Sequence, residues 1–459
     1  MPAQVNLWSS RIAVYLGVVG AAVGLGSIWR FPYLAGTSGG PAFVAVFVFV
    51  CLVLATPLLV GEFVIGRTAR RSPPEAAGVL AELAGRSRRW NAIGWLGSLA
   101  AFLILSYYTM IAGWVLAYTW KCASGELAGL SHDAVATQFK TFVSNPMVVG
   151  GWHIAFIALV AGISALGIQR GVEMANKLRA PAFLLLLLIL VGYSLSTGDV
   201  ERGLHFAFAP DLSKLTPQVL LAAVGQAFYA TGVGMAMMIA YGAYVPKGVS
   251  LVRSALFITG SIVLVSLLAT LMVFPLVFRY GMNPAQGPEL VFEVLPTAFA
   301  EMPGGRLIGT LFFVLLALSA LTPSIAGLEP LVAWLEQRAR LRRPLAVLVT
   351  AAAMWLMGIG SVLSFSRWAN WHPLAGVAPS AGRFAEMTFF DLVDFTASNL
   401  FLPIGALLTS VFLGWFVAKA IPAEQLADMK PLTRRAVMFS LRYLCPAAIL
   451  VVLIAALVQ

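Results

Sequence analysis

Charge is what this sequence has least of. Only 11% of its 459 residues are Asp, Glu, Lys or Arg, against 60% hydrophobic. Soluble globular domains carry roughly 25% charged residues, so that class is excluded. Cysteine is nearly absent: Cys51, Cys122 and Cys445 show neither metal-ligand nor redox spacing and read as apolar packing residues. The four histidines, His132, His153, His205 and His372, are scattered, which speaks against a metal cluster. No nucleophile–base pair or phosphate-binding loop stands out, so an enzyme is not expected. The first apolar run has no basic segment ahead of it and continues to spanning length. It therefore reads as a retained helix rather than a cleaved signal.

What is present is apolar sequence. Mean hydropathy is +0.89, and runs of about 20 apolar residues, each able to cross a bilayer, recur from end to end. We expect an all-α polytopic membrane protein with about eleven spans, near 9–37, 41–66, 91–120, 151–167, 172–196, 218–244, 251–278, 307–334, 345–363, 386–418 and 436–458. A loop over 283–305 is expected to hold a short helix. Basic residues gather in alternate loops: Arg67 to Arg89, then Arg170, Lys177 and Arg179, then Arg338 to Arg343, then Lys419 to Arg435. This positive-inside pattern puts the N-terminus in the cytoplasm and the C-terminus outside an inner membrane. The formal charge of +11 thus reports topology, with lipid as the surroundings and no nucleic-acid partner.

Two spans are poor helices. Gly20 to Pro32 carries Gly20, Gly24, Gly26 and Pro32 and places Arg30 where lipid penalises charge. Gly225 to Met235, in the sixth span, is also interrupted by glycine. Backbone unwinds at membrane depth only where protein or a water-lined cavity satisfies its freed N–H and C=O groups. Matching interruptions five spans apart indicate two inverted halves, 9–197 and 215–418, with 436–458 as an added helix. They point to a transporter site where half-helix ends bind a small solute.

On these residues the chain resembles the neurotransmitter:sodium symporter family across all eleven spans. Trp8 and Arg11 precede span one. Ala22-Val23-Gly24-Leu25-Gly26 and Trp29-Arg30-Phe31-Pro32 match its span-one signature, and Gly39-Gly40-Pro41-Ala42-Phe43 the start of span two. Tyr107-Tyr108, Gly113-Trp114, Gly225-Gln226-Ala227-Phe228 and Tyr241 to Tyr244 also fit. The resemblance implies the leucine-transporter fold, inverted five-helix repeats with helices 1 and 6 broken, and alternating access in a single transporter domain. It implies a substrate held by Ala22, Gly24, Gly26, Tyr108, Tyr229, Ala230, Gly232, Met235, Pro323 and Gly327. Arg30 and Asp394 would form the outer gate. Gly171 and Pro181 would let helix 5 unwind. Gly24 stands where monoamine carriers bear an aspartate, so a substrate with its own carboxylate, an amino acid, is preferred.

The cation ligands depart from the family pattern. At one sodium site the alignment places Ser27, Ala230 and Ile262, which removes most side-chain oxygens. The other would use Gly20 and Val23 carbonyls with Ser319 and Thr322, but Pro323 replaces a hydroxyl-bearing residue. Phe47 replaces a tyrosine at the chloride-type site, which keeps Gln226 and Ser266. Val5 and Gln337 replace the inner-gate ion pair. The implied activity is inward transport of an amino acid or related zwitterion, with at most one intact sodium site and no other cofactor. The alternatives are a proton-coupled or uncoupled carrier of an amine or other small solute, and a non-transporting, receptor-like relative. Emptied side chains at Ala230, Gly232 and Gly327 suggest a roomy pocket. The sequence leaves the oligomeric state open.

Overall fold

A computed structural model of the chain describes residues 8–209, 211–285, 290–376, 382–422, 425 and 429–458. Nine helices are long and apolar enough to cross a membrane among the described residues. They are α3 (Pro41–Ala69), α5 (Arg88–Ser124), α7 (Pro146–Ala165), α8 (Ile168–Thr197), α12 (Leu251–Arg279), α14 (Gly305–Arg338), α15 (Arg343–Ser364), α16 (Phe389–Phe416) and α17 (Pro431–Leu457). A tenth span is bent: α1 (Arg11–Ala22) and α2 (Phe31–Thr37) belong to segments that meet at 50°. In the sixth apolar run, α10 (Pro217–Thr231) and α11 (Met237–Tyr244) are separated by residues 232–236.

Polar residues set the helix starts. Ser10, Asn145, Thr216 and Ser250 each accept a hydrogen bond from the first turn that follows. Short amphipathic helices cover the loops: α4 (Pro73–Leu83), α6 (His132–Val143), α9 (Val200–Phe208) and α13 (Leu295–Glu301). Of these, α13 is the short helix expected within 283–305, and the other three have no counterpart among the sequence expectations.

Helices pack in two groups. In one, α5 lies along α14, α7 and α15, and α7 packs on α15. In the other, α3 contacts α10, α11 and α12, and α1 packs on α12. The groups meet where α1 also touches α8 and α14. Two loop cations are corrected: Arg67 lies inside α3, only 5% exposed, and donates to Val249 O at 2.6 Å. Arg179 is not a loop cation: it lies inside α8 and is only 5% exposed. Its neighbours in sequence place it beside basic loop residues, but the helix turns it inward.

Candidate functional site

Helix α1 ends at Ala22 because the chain turns extended at Val23, whose N–H closes on Val19 O. The chain resumes as a π turn over Gly26–Arg30 before α2. In the sixth run, Gly232 and Gly234 sit at φ of +67° and +85°, and Ala236 at +57°. Those left-handed steps favour glycine and stop α10. The two breaks are tied together, since Gln226 Nε2 donates to Gly26 O at 2.6 Å.

One small cavity of about 40 Å³ lies between the breaks. All ten residues expected at the substrate, Ala22, Gly24, Gly26, Tyr108, Tyr229, Ala230, Gly232, Met235, Pro323 and Gly327, line it. Ala21, Ala101, Ile104, Leu105 and Met237 line it too and have no sequence-level signal. No charged side chain is among the lining residues. The Tyr108 hydroxyl accepts from the Leu25 N–H at 3.2 Å, so the phenol sits at the break itself.

The pocket is not roomy, because neighbours fill the space that the small residues leave. A β-carbon on Gly24 would stand 2.7 Å from Pro323 Cγ and 3.0 Å from the Tyr108 hydroxyl. On Gly327 it would meet Leu105 at 2.6 Å, and on Gly232 the Met237 methyl at 2.4 Å. Absent side chains here permit close approach rather than open volume.

Tyr229 separates this cavity from a larger one of about 330 Å³, lined mainly by aromatic rings together with Arg30 and Asp394. Arg30 lies 4.2 Å above the Tyr229 ring, a cation–π contact. Asp394 instead accepts from Tyr107 at 2.6 Å and Ser398 at 2.9 Å. Among the described residues no ion pair joins Arg30 to Asp394, so the gate pair faces one cavity without being closed.

The opposite side is shut. Trp8 packs edge-on against Tyr241 with ring centroids 5.5 Å apart, and its backbone N–H donates to Tyr244 O. Ser9 bonds Glu173. Tyr244 donates to Glu329 at 2.6 Å, and Arg343 pairs with both Glu329 and Glu336. This cluster replaces the inner gate sought at Val5, which lies outside the described residues, and at Gln337, which accepts from Ser72 N–H at 2.8 Å. Glu62 is a further residue without an assigned role in the sequence reading. Only 1% exposed, its carboxylate accepts from Gly234 N–H at 2.7 Å and holds the second break.

The residues present do not fit a sodium ion. Ala230 and the fully buried Ile262 offer no side-chain oxygen at the first site. At the second, Pro323 offers no side-chain oxygen, while Ser319 and Ser324 donate to Leu316 O and Ala320 O and keep their lone pairs. The Arg179 guanidinium stands beside Gly20 instead. Gly171 lies in a π turn at the start of α8, and Pro181 ten residues on, inside that helix.

Two broken helices meeting at a closed, apolar chamber, between two helix groups and beneath an aromatic cavity, define a membrane carrier. The chain belongs to the sodium:neurotransmitter symporter family, whose model matches residues 5–139 and 148–459. It is a secondary transporter, not an enzyme. Its fold superposes on the crystal structure of MhsT in complex with L-phenylalanine, with a TM-score of 0.88 and 35% identity over 98% of this chain and 99% of that one. It is 37% identical to the uncharacterized sodium-dependent transporter YhdH of Bacillus subtilis, over 97% of this chain and 96% of the relative. An uncharacterized sodium-dependent transporter of Haemophilus influenzae is 31% identical over 98% of both.

Proposed function

We propose that the chain carries a neutral amino acid with an apolar side chain across the inner membrane by alternating access. The cavity at the double break carries this reading: its walls are apolar, and peptide groups and the Tyr108 and Tyr229 phenols are its polar elements. N–H groups at the start of the outer half-helix suit a carboxylate, and the carbonyl end of α10 at the second break suits an ammonium. An amine lacking its own carboxylate would need an acidic partner, and no carboxylate lines the cavity. The likeness to a structure that holds L-phenylalanine supports the same class.

In this reading the two inverted halves, 9–197 and 215–418, give eleven spans with 436–458. The N-terminus is cytoplasmic and the C-terminus outside. The helix group of α1, α3, α10, α11 and α12 rocks against the group of α5, α7, α14 and α15. Arg30 and Asp394 close over the loaded site, and Gly171 with Pro181 lets the start of α8 unwind on the inner side. A sodium-independent carrier is the second reading, favoured by Arg179 beside Gly20.

Uptake into proteoliposomes tests the proposal. Purified protein should exchange internal for external labelled neutral amino acids, apolar ones best, and ignore simple amines. Binding detected as thermal stabilisation without any flux would support the receptor-like alternative instead.

A further inference from the structure

We propose that Arg179 is a resident cation: its guanidinium occupies the place at the end of α1 where a dissolved cation would sit, so that substrate binds without sodium. The proposal rests on the carrier reading above.

A helix that stops inside a membrane leaves its last carbonyls unpaired and carries about half a negative charge at that end. Helix α1 stops this way at Ala22. A positive group is needed there, and the structure supplies one from α8. A β-carbon placed on Gly20 would lie 3.0 Å from Arg179 Nη2, 2.3 Å from the Asn176 side-chain oxygen and 2.9 Å from the Thr322 methyl. Gly20 is therefore bare because the α8 side chains press against the last turn of α1. Arg179 Nη1 also donates to Leu318 O of α14 at 3.4 Å, and the guanidinium lies 5.4 Å from the Phe183 ring. One charge thus bridges α1, α8 and α14, across the junction of the two helix groups.

Among the described residues no carboxylate pairs with Arg179, and its Nε has no hydrogen-bond partner. The Asn176 oxygen and nitrogen beside it are likewise buried without partners. A buried guanidinium without a counter-ion is costly unless dipoles compensate it. The compensating dipoles are the Leu318 carbonyl, to which Nη1 donates, and the carbonyl end of α1 beside it at Gly20. The same charge excludes a second cation. Two unit charges about 4 Å apart in a protein interior repel enough to weaken binding roughly a thousandfold.

A tethered charge cannot leave with the substrate. The α1–α8–α14 bridge then breaks by helix movement rather than by ion release, and a sodium gradient does no work on the carrier.

The test uses the full chain in detergent, with sodium exchanged for potassium at constant ionic strength. For the substrate-free wild type, the melting temperature should be the same in both salts. Half-saturation by a stabilising amino acid should change less than twofold. Arg179→Ala should lose affinity more than tenfold in potassium and regain part of it with millimolar sodium or guanidinium. Arg179→Lys, which keeps the charge and guards against a folding defect in the alanine variant, should remain indifferent to sodium. Saturable stabilisation of the wild type by sodium overturns the proposal. So does an Arg179→Ala protein with wild-type affinity in sodium-free buffer. If no amino acid stabilises the wild type in either salt, the substrate reading falls, while the sodium titration of the substrate-free protein still decides the role of Arg179.

Discussion

At Gly24 one hydrogen atom stands where any other residue would put carbon. Pro323 and the Tyr108 hydroxyl already fill the space that a methyl group needs. Overpacking of this kind costs about 2 kcal/mol. Gly24→Ala should fold and keep a melting temperature within a few degrees of wild type, yet lose at least tenfold in proteoliposome uptake. Undiminished uptake would remove Gly24 from the pocket wall. Tyr108→Phe probes the polar side. It deletes the acceptor for the Leu25 N–H and one of the two phenol hydroxyls among the lining residues, the other being that of Tyr229. A hydrogen bond to a charged group contributes about 1.5–3 kcal/mol, so half-saturating substrate should rise about tenfold or more. A shift below twofold would mean that the phenol serves the break and not the substrate. These residues were legible in the sequence because glycines and tyrosines in ordered motifs mark them. Arg179 was not. Its neighbours Arg170 and Lys177 made it look like part of a loop cluster, and only the turn of α8 shows that it points inward.

The two breaks are the elements that organise the fold, and glycine spacing announces both. What spacing does not show is how the second break is held. Glu62 lies 172 residues away in sequence from Gly234, whose N–H it accepts. No local pattern reports that contact. Nor does sequence flag Ala236, which takes a left-handed conformation at φ +57° where glycine would be expected. That geometry costs an alanine about 1–2 kcal/mol, which offsets the backbone entropy that glycine gives up on folding. Ala236→Gly should therefore leave stability nearly unchanged. Ala240→Gly, a few residues on and inside helix α11, should cost about 1 kcal/mol. Thermal unfolding of both variants side by side checks the difference. Equal losses would show that residue 236 carries no strain, and that something other than backbone preference stops the helix there.

Across the whole molecule the structure is lopsided. A chamber at the centre is covered on one side by a single ring, Tyr229, beneath an aromatic cavity. On the side of the N-terminus it is covered by a thick latch. Trp8 is the keystone of that latch. Only 3% exposed, it fills the groove at Gly17, where a β-carbon would lie 2.4 Å from the ring, and it rests on Tyr241. Apolar burial and one backbone hydrogen bond join the start of the chain to α11, so this contact has to open whenever α1 swings away. Replacing a buried tryptophan by alanine removes about 3 kcal/mol of packing. An opening in which α1 swings away would leave this ring in solvent, so the loss would fall on the closed arrangement alone. Trp8→Ala should then raise hydrogen exchange roughly a hundredfold in the amides of α1 while those of α5 and α14 stay protected. Uniform faster exchange in all three helices would indicate a general loss of stability. Unchanged exchange in α1 would place the hinge elsewhere, with the Arg343–Glu329–Tyr244 cluster holding that side shut without help from the N-terminal segment.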